Sequence, residues 1–162
     1  MNWEAVSAIS QALSAVAVVL TVVYLAAQIR KSRMATESLT YYLATAAGAQ
    51  TAATIAASAE TSHIYQTGLA SPDQLEEKES FRFALLLISQ FRRYENLFFQ
   101  HRSGLIGEDY WMAQRENMLW FFHRPGVQNW WKEKRLAFSS GFRAFLESSN
   151  PSELESPANR RV

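Results

Sequence analysis

The feature that most constrains this chain is an uncharged stretch near its N-terminus, which runs from Ala5 to Ile29. Its residues are mostly apolar or small, and it contains no Gly or Pro that would end a helix. A helix of about 25 residues is long enough to cross the roughly 30 Å hydrocarbon core of a bilayer. The stretch therefore predicts a transmembrane helix. A buried, alanine-rich helix of a soluble bundle is the alternative.

The residues on either side of this stretch predict its direction. Residues 1–4 contain no basic side chain, whereas Arg30, Lys31 and Arg33 follow the apolar segment. A signal peptide carries its basic residues before the apolar core, so this order favours an uncleaved anchor. Basic flanks stay on the cytoplasmic side of a membrane. We therefore expect a single-pass protein with its N-terminus outside and its C-terminal domain in the cytoplasm.

One face of the predicted transmembrane helix is polar. At heptad spacing it carries hydroxyl and amide side chains, and a seam of small residues runs beside them. The polar residues are Ser7, Gln11, Ser14, Thr21 and Gln28, and the small ones include Ala8, Ala12 and Ala15. Polar groups are costly in lipid, and small residues allow helices to approach and hydrogen-bond. This face predicts a homo-oligomer, with docking on a larger membrane complex and a conducting pore as alternatives.

The remaining sequence predicts an all-α protein, in which the anchor (1–33) precedes a compact helical domain (34–148) and a flexible tail (149–162). The domain is expected to contain about four helices, and the first helix to continue past the basic flank. Gly68 is expected to end the alanine-rich run that follows, and Ser71-Pro72 to begin a new helix. Later helices are predicted at Phe81–Arg102, at Glu108–His123, from Pro125 through Leu136, and after Ser139 or Ser140.

Composition excludes several classes of function. The 16 Lys and Arg residues balance 15 Asp and Glu residues, so no basic surface for nucleic acid is predicted. Without cysteine the chain has no disulfide, thiolate zinc site or cysteine nucleophile. Glu60 and His63 form a single Glu-x-x-His motif, whereas a di-iron bundle needs two such motifs and further glutamates. We therefore predict neither an enzyme, a cofactor nor a metal site.

Glu95 is expected to be buried in the domain. It shares a helix face with Ile88, Phe91 and Phe98, and a buried carboxylate needs a partner. Arg92 lies one turn before it, so the spacing predicts a structural ion pair between these two side chains. A catalytic acid is the alternative, but no second carboxylate or histidine stands at a suitable spacing.

Aromatic residues crowd into the second half of the chain. They are Tyr110, Trp111, Trp120, Phe121, Phe122, Trp130, Trp131, Phe138, Phe142 and Phe145. Their density predicts a packed core. A surface that touches lipid headgroups, stacking on nucleic acid and an aromatic ligand pocket are the alternatives.

Short segments spread over nearly the whole chain also carry a resemblance. They are Trp3-Glu4-Ala5, Tyr24 through Arg30, Arg93 through Asn96, Gly104-Leu105-Ile106, Pro125-Gly126-Val127, Trp130-Trp131, Phe138-Ser139 and Phe142. In this combination the chain resembles a widespread group of small uncharacterised bacterial proteins that are helical and membrane-anchored. The resemblance implies a location in the bacterial inner membrane. It carries over no site residue, because the group has no established activity.

Overall fold

The computed structural model describes residues 3–150, without the side chains at positions 5, 6, 8–10 and 12. Within this part the chain forms six α-helices, two short 3₁₀-helices and no strand, which confirms the all-α prediction. Contacts divide the chain into two units, Met1–Leu39 and Thr40–Val162. Most of the predicted tail, residues 151–162, lies outside the described residues.

The first helix, α1 (Trp3–Ala56), is 54 residues long. It continues through the basic residues that follow Ile29, because no Gly or Pro interrupts the chain before Gly48. Over Leu13–Ala56 this helix is long and apolar enough to cross a membrane. Its residues up to Leu39 form the first unit, and its last turns belong to the second.

The second unit contains five α-helices after the end of α1, where about four were predicted. After the end of α1 come α2 (Ala59–Ala70), α3 (Glu77–Arg102), α4 (Glu108–Phe122), α5 (Pro125–Lys134) and α6 (Ser140–Glu147). The two 3₁₀-helices lie at Pro72–Gln74 and Arg135–Ala137. Pro72 therefore opens a single 3₁₀ turn, and the following α-helix begins five residues later at Glu77.

The alanine-rich run ends earlier than predicted. Gly68 does not end it: α1 stops at Ala56, and α2 continues through Gly68 to Ala70. The break falls at Ser58, whose hydroxyl oxygen accepts a hydrogen bond from the backbone N–H of Thr61 at 3.0 Å. A serine in this position satisfies one of the free backbone donors at a helix start, which favours a new helix there.

The longest helix of the second unit, α3, has a defined start and end. It begins before the predicted Phe81 because Glu76 and Glu79 form a capping box, in which the N–H of Glu76 donates to Oε2 of Glu79 at 3.0 Å. It ends at Arg102, and Gly104 then adopts a left-handed φ of 66°. This conformation favours glycine and explains the predicted stop.

Aromatic side chains form the core of the second unit, as predicted. Phe91 on α3 is fully buried and lies at its centre. Around it lie the rings of Tyr94, Phe122, Trp130, Trp131 and Phe138, with centroid distances of 5.1 Å to 6.4 Å. Edge-to-face and tilted ring contacts of this kind add to the stabilisation from burial. The core therefore links α3 to α4, α5 and the segment before α6.

Two glycines allow α2 and α5 to approach closely. A methyl group on Gly126 would overlap the backbone carbonyl oxygen of Gly68. On the other side, a methyl group on Gly68 would overlap the ring of Phe83. The packing of α2 between α3 and α5 therefore requires a hydrogen atom at both positions.

Replacing Gly126 by alanine is expected to destabilise the fold by roughly 3 kcal/mol, because the added methyl has no space and α2 would have to move away from α5. Gly107→Ala is the matched control, since a methyl there meets no atom within 4 Å. Thermal unfolding of the chain in neutral detergent, followed by circular dichroism, measures both. Equal stability of the two variants would contradict the close helix contact.

Candidate functional site

The first candidate site is the polar face of α1. In the first unit the described side chains from Leu13 to Ile29 are all exposed. Among the polar residues of the predicted face, Ser7, Gln11, Ser14, Thr21 and Gln28 are exposed, and Ala15 is exposed beside them. The side chains of Ala8 and Ala12 lie outside the described part of the chain. The face is therefore available to another helix along its described length.

The apolar side chains of the same segment are exposed as well. More than half of the surface is exposed for Leu13, Val16, Val18, Val19, Leu20, Val22, Val23, Tyr24, Leu25 and Ile29. A soluble monomer rarely exposes a continuous apolar surface of this extent. A surface of this kind is typical of helices that lipid or other protein covers.

The polar side chains of this face differ in whether they form hydrogen bonds within the helix itself. The Thr21 hydroxyl donates to the backbone carbonyl of Ala17 at 2.8 Å, so it can lie in an apolar environment without an external partner. Among the described residues, no hydrogen bond involves the side-chain amide of Gln11 or that of Gln28. These two amides are therefore the groups on the face that most need a partner from outside the helix.

The basic flank begins at Arg30, two residues after the last residue of this face, Gln28. Arg30 and Lys31 are exposed. Arg33 forms an ion pair with Glu37 one turn later, with 3.1 Å between Nε and Oε1. Exposed pairs of this type contribute little to stability. These three basic residues are the ones on which the prediction of direction depends.

A second candidate site surrounds Glu95, and here the structure brings the predicted pair together. Nη1 of Arg92 lies 2.8 Å from Oε2 of Glu95, and the other Glu95 oxygen accepts the backbone N–H of Ser139 at 2.7 Å. Nη2 of Arg92 donates to the carbonyl oxygen of Ala137 at 2.9 Å. The Arg92 guanidinium also stacks 4.7 Å above the ring of Phe138. This network fixes the start of α6 against α3.

The environment of Glu95 favours its charged form. Burial acts to raise the pKa of Glu95, but the N–H of Ser139 and the guanidinium of Arg92 outweigh it, so the pKa lies below its usual value. All the hydrogen bonds of the carboxylate are made to groups that hold the fold together. This geometry is that of a structural ion pair.

The histidines lie apart from one another. His101 is 3.0 Å from Glu108 and stacks on Trp111, whereas His123 contacts the Ser149 hydroxyl at 3.0 Å. Burial lowers the pKa of His123. In the Glu60–His63 motif the glutamate pairs with Arg82 on α3. Among the described residues no group of three acidic or histidine side chains is placed to hold a metal ion.

A third site was not predicted from the sequence. The end of α1, the start of α2 and the middle of α3 enclose a cleft of about 360 Å³. Its lining consists of Gly48, Thr51, Ala52, Ile55, Ala56, Ser62, Tyr65, Gln90 and Arg93. Arg93 is the only charged residue among them. No local pattern indicates this cleft, because Gln90 and Arg93 on α3 come from a segment distant in sequence from the α1 and α2 residues that they face.

Glu95→Gln is expected to lower the stability at pH 7 by roughly 1–3 kcal/mol, because it removes the charge that Arg92 and Ser139 bind. The lowered pKa means that this stabilisation is present above the value of an unfolded glutamate, about 4.3, and is lost as the pH falls through the folded value. The variant should therefore lose less stability on acidification than the wild type. Denaturant unfolding from pH 7 to pH 3 measures both effects.

The control for this measurement is Glu133→Gln. The Glu133 side chain is 76% exposed and lies 3.8 Å from Lys134, so its removal should leave stability unchanged. If Glu95→Gln behaves like this control at pH 7, the network around Glu95 does not stabilise the fold.

Comparisons with protein-family models, curated proteins and solved structures found no match. The resemblance to bacterial membrane-anchored proteins therefore stays a prediction. Function has to be inferred from the exposed helix, the Glu95 network and the cleft themselves.

Proposed function

We propose that the chain is a single-pass protein of the bacterial inner membrane that self-associates through the polar face of α1. The N-terminus lies outside, and the helical domain lies in the cytoplasm. The role is structural or channel-like, without catalysis. Lipid is one partner, and further copies of the chain are the others.

The observation that carries this proposal is the exposure of α1 from Leu13 to Ile29. Burial of one Val or Leu side chain contributes about 1.5–3 kcal/mol, so a bilayer that covers this segment would gain many times that amount. The same helix is long and apolar enough to cross a membrane. Apolar burial therefore supplies the reason for insertion.

Association follows from the groups that lipid cannot satisfy. The amides of Gln11 and Gln28 each carry donors and an acceptor, so copies of the same helix can satisfy one another. Interhelical hydrogen bonds in membranes contribute about 1 kcal/mol each, and small residues such as Ala15 allow the close approach that they need. A ring of Gln11 amides around an axis would also give a pore selectivity by size and hydrogen bonding.

The positive flank supports the direction of insertion. Arg30, Lys31 and Arg33 follow the apolar segment, whereas residues 1–4 contain no basic side chain. Loops rich in Lys and Arg stay in the cytoplasm, whereas single acidic residues such as Glu37 have little effect.

The test is the mass of the detergent-solubilised chain by light scattering. The wild type is expected to give one discrete species at a multiple of the 18.4 kDa monomer. Gln11→Leu combined with Ser14→Ala should shift it towards monomer, since each interhelical hydrogen bond lost with the Gln11 amide weakens association by about 1 kcal/mol. Leu13→Ala combined with Leu20→Ala, on the opposite side of the helix, is the matched control and should keep the oligomer.

A monomeric wild type would overturn self-association. The competing proposal, an accessory subunit that docks on a larger membrane complex, predicts that result unless the partner is present. Equal dissociation of both double variants would contradict the assignment of the polar face, because it would show that any change in the helix weakens assembly.

A further inference from the structure

We propose that the cleft formed by α1, α2 and α3 binds a small organic anion, with a phosphate or carboxylate group held by Arg93 and a short apolar portion lying along α1. This site lies entirely within the second unit, and it does not depend on the self-association proposed above.

The guanidinium of Arg93 lacks an acidic partner. The ion pairs of the described residues involve Arg33, Arg82, Arg92, His101, Lys134 and Arg135, and none includes Arg93. Nε of Arg93 is buried without a hydrogen-bond partner. A partly buried charge with an unused donor is unfavourable unless something binds it. An oxyanion in the cleft would supply the acidic partner that the guanidinium lacks among the described residues.

The position of this guanidinium is fixed by its neighbours. It stacks 4.7 Å from the ring centre of Tyr94. On the opposite helix, Nη1 lies 3.4 Å from the point that a Cβ on Gly48 would occupy. This is an ordinary van der Waals distance, so the guanidinium lies directly against the backbone of α1 at Gly48. Arg93 is thus held in place by Tyr94 and has no acidic partner among the described residues, which is the arrangement of a preformed binding group.

The other polar residues of the cleft are neutral. Gln90 is buried, and Tyr65 stacks on Phe121 at 5.9 Å. Burial raises the pKa of Tyr65, and the phenol keeps its proton at neutral pH. Ser62 donates its hydroxyl hydrogen to the carbonyl oxygen of Ile55 at 2.8 Å, which joins α2 to α1. The cleft therefore carries one positive charge and no negative charge among its lining residues.

The chemistry of the ligand follows from these groups and from the size of the cleft. A guanidinium binds carboxylate or phosphate oxygens in a planar, two-point geometry. Ala52, Ile55 and Ala56 form an apolar wall beside it. The volume of about 360 Å³ is near the lower end of ligand pockets. A lipid headgroup and a soluble metabolite both offer this combination of an oxyanion and a short apolar chain.

The experiment titrates n-butyl phosphate, and separately butyrate, into the full chain in neutral detergent and follows the heat of binding. We expect at least one of the two to bind the wild type, and Arg93→Gln to bind it at least about tenfold more weakly. The matched control is Arg102→Gln, which should bind like the wild type. Arg102 lies on the same helix, stacks on Phe98 at 5.7 Å and contacts a glycine, Gly141, but does not line the cleft.

A second variant leaves the guanidinium intact. Ala52→Leu places a larger side chain in the cleft, and Ala52 is exposed on α1, where leucine is a good helix former. This variant should keep its helicity and thermal stability and lose binding. Binding that is equal in the wild type, Arg93→Gln and Ala52→Leu would overturn the site. Failure of the wild type to bind either probe would overturn it as well.

A measurement in nanodiscs distinguishes a lipid headgroup from a free anion as the ligand. If the ligand is a lipid headgroup, phosphatidic acid in a phosphatidylcholine bilayer will raise the unfolding temperature of the wild type more than that of Arg93→Gln. If the ligand is a free anion, phosphatidic acid will have the same effect on both, and n-butyl phosphate will still distinguish them. If neither phosphatidic acid nor n-butyl phosphate stabilises the wild type more than Arg93→Gln, the proposal is contradicted.

Discussion

The exposed apolar surface of α1 is the constraint on which the interpretation of this protein depends. From Leu13 to Ile29 its side chains pack against nothing in their own unit, and no charged residue interrupts them. Water is an unfavourable environment for such a surface, whereas a bilayer is a favourable one. In lipid the apolar side chains are satisfied, but the side-chain amides of Gln11 and Gln28 then need hydrogen-bond partners. One helix therefore gives a reason for membrane insertion and a separate reason for association.

The second unit is stabilised in a different way. Its aromatic core around Phe91 buries large apolar area, and the glycine pair at Gly68 and Gly126 brings two of its helices into backbone contact. The network of the buried Glu95 and the partly exposed Arg92 specifies which segment packs on α3. Removal of one partner from such a network leaves a buried group without a hydrogen bond. The network therefore stabilises the fold only when all of its members are present.

Helix boundaries that depend on residues close in sequence could be predicted. The continuation of α1, the end of α3 near Gly104 and the start of α5 at Pro125 depend on residues close to those positions. The break at Ser58 was missed because alanine and threonine on both sides give no strong stop signal. Ser139 and Arg93 owe their surroundings to distant segments: Ser139 contacts Glu95 from 44 residues away. Spacing along one helix suggested the Arg92–Glu95 pair but gave no sign of the cleft.

The central claim is that α1 crosses the membrane, and cysteine labelling tests it most directly because the chain has no cysteine of its own. Glu4→Cys and Ser148→Cys would each be treated with a membrane-impermeant maleimide in spheroplasts of expressing bacteria. The account predicts labelling of Glu4→Cys in intact spheroplasts and of Ser148→Cys only after permeabilisation. Labelling of both variants from the outside, or recovery of the chain in the soluble fraction, would contradict it.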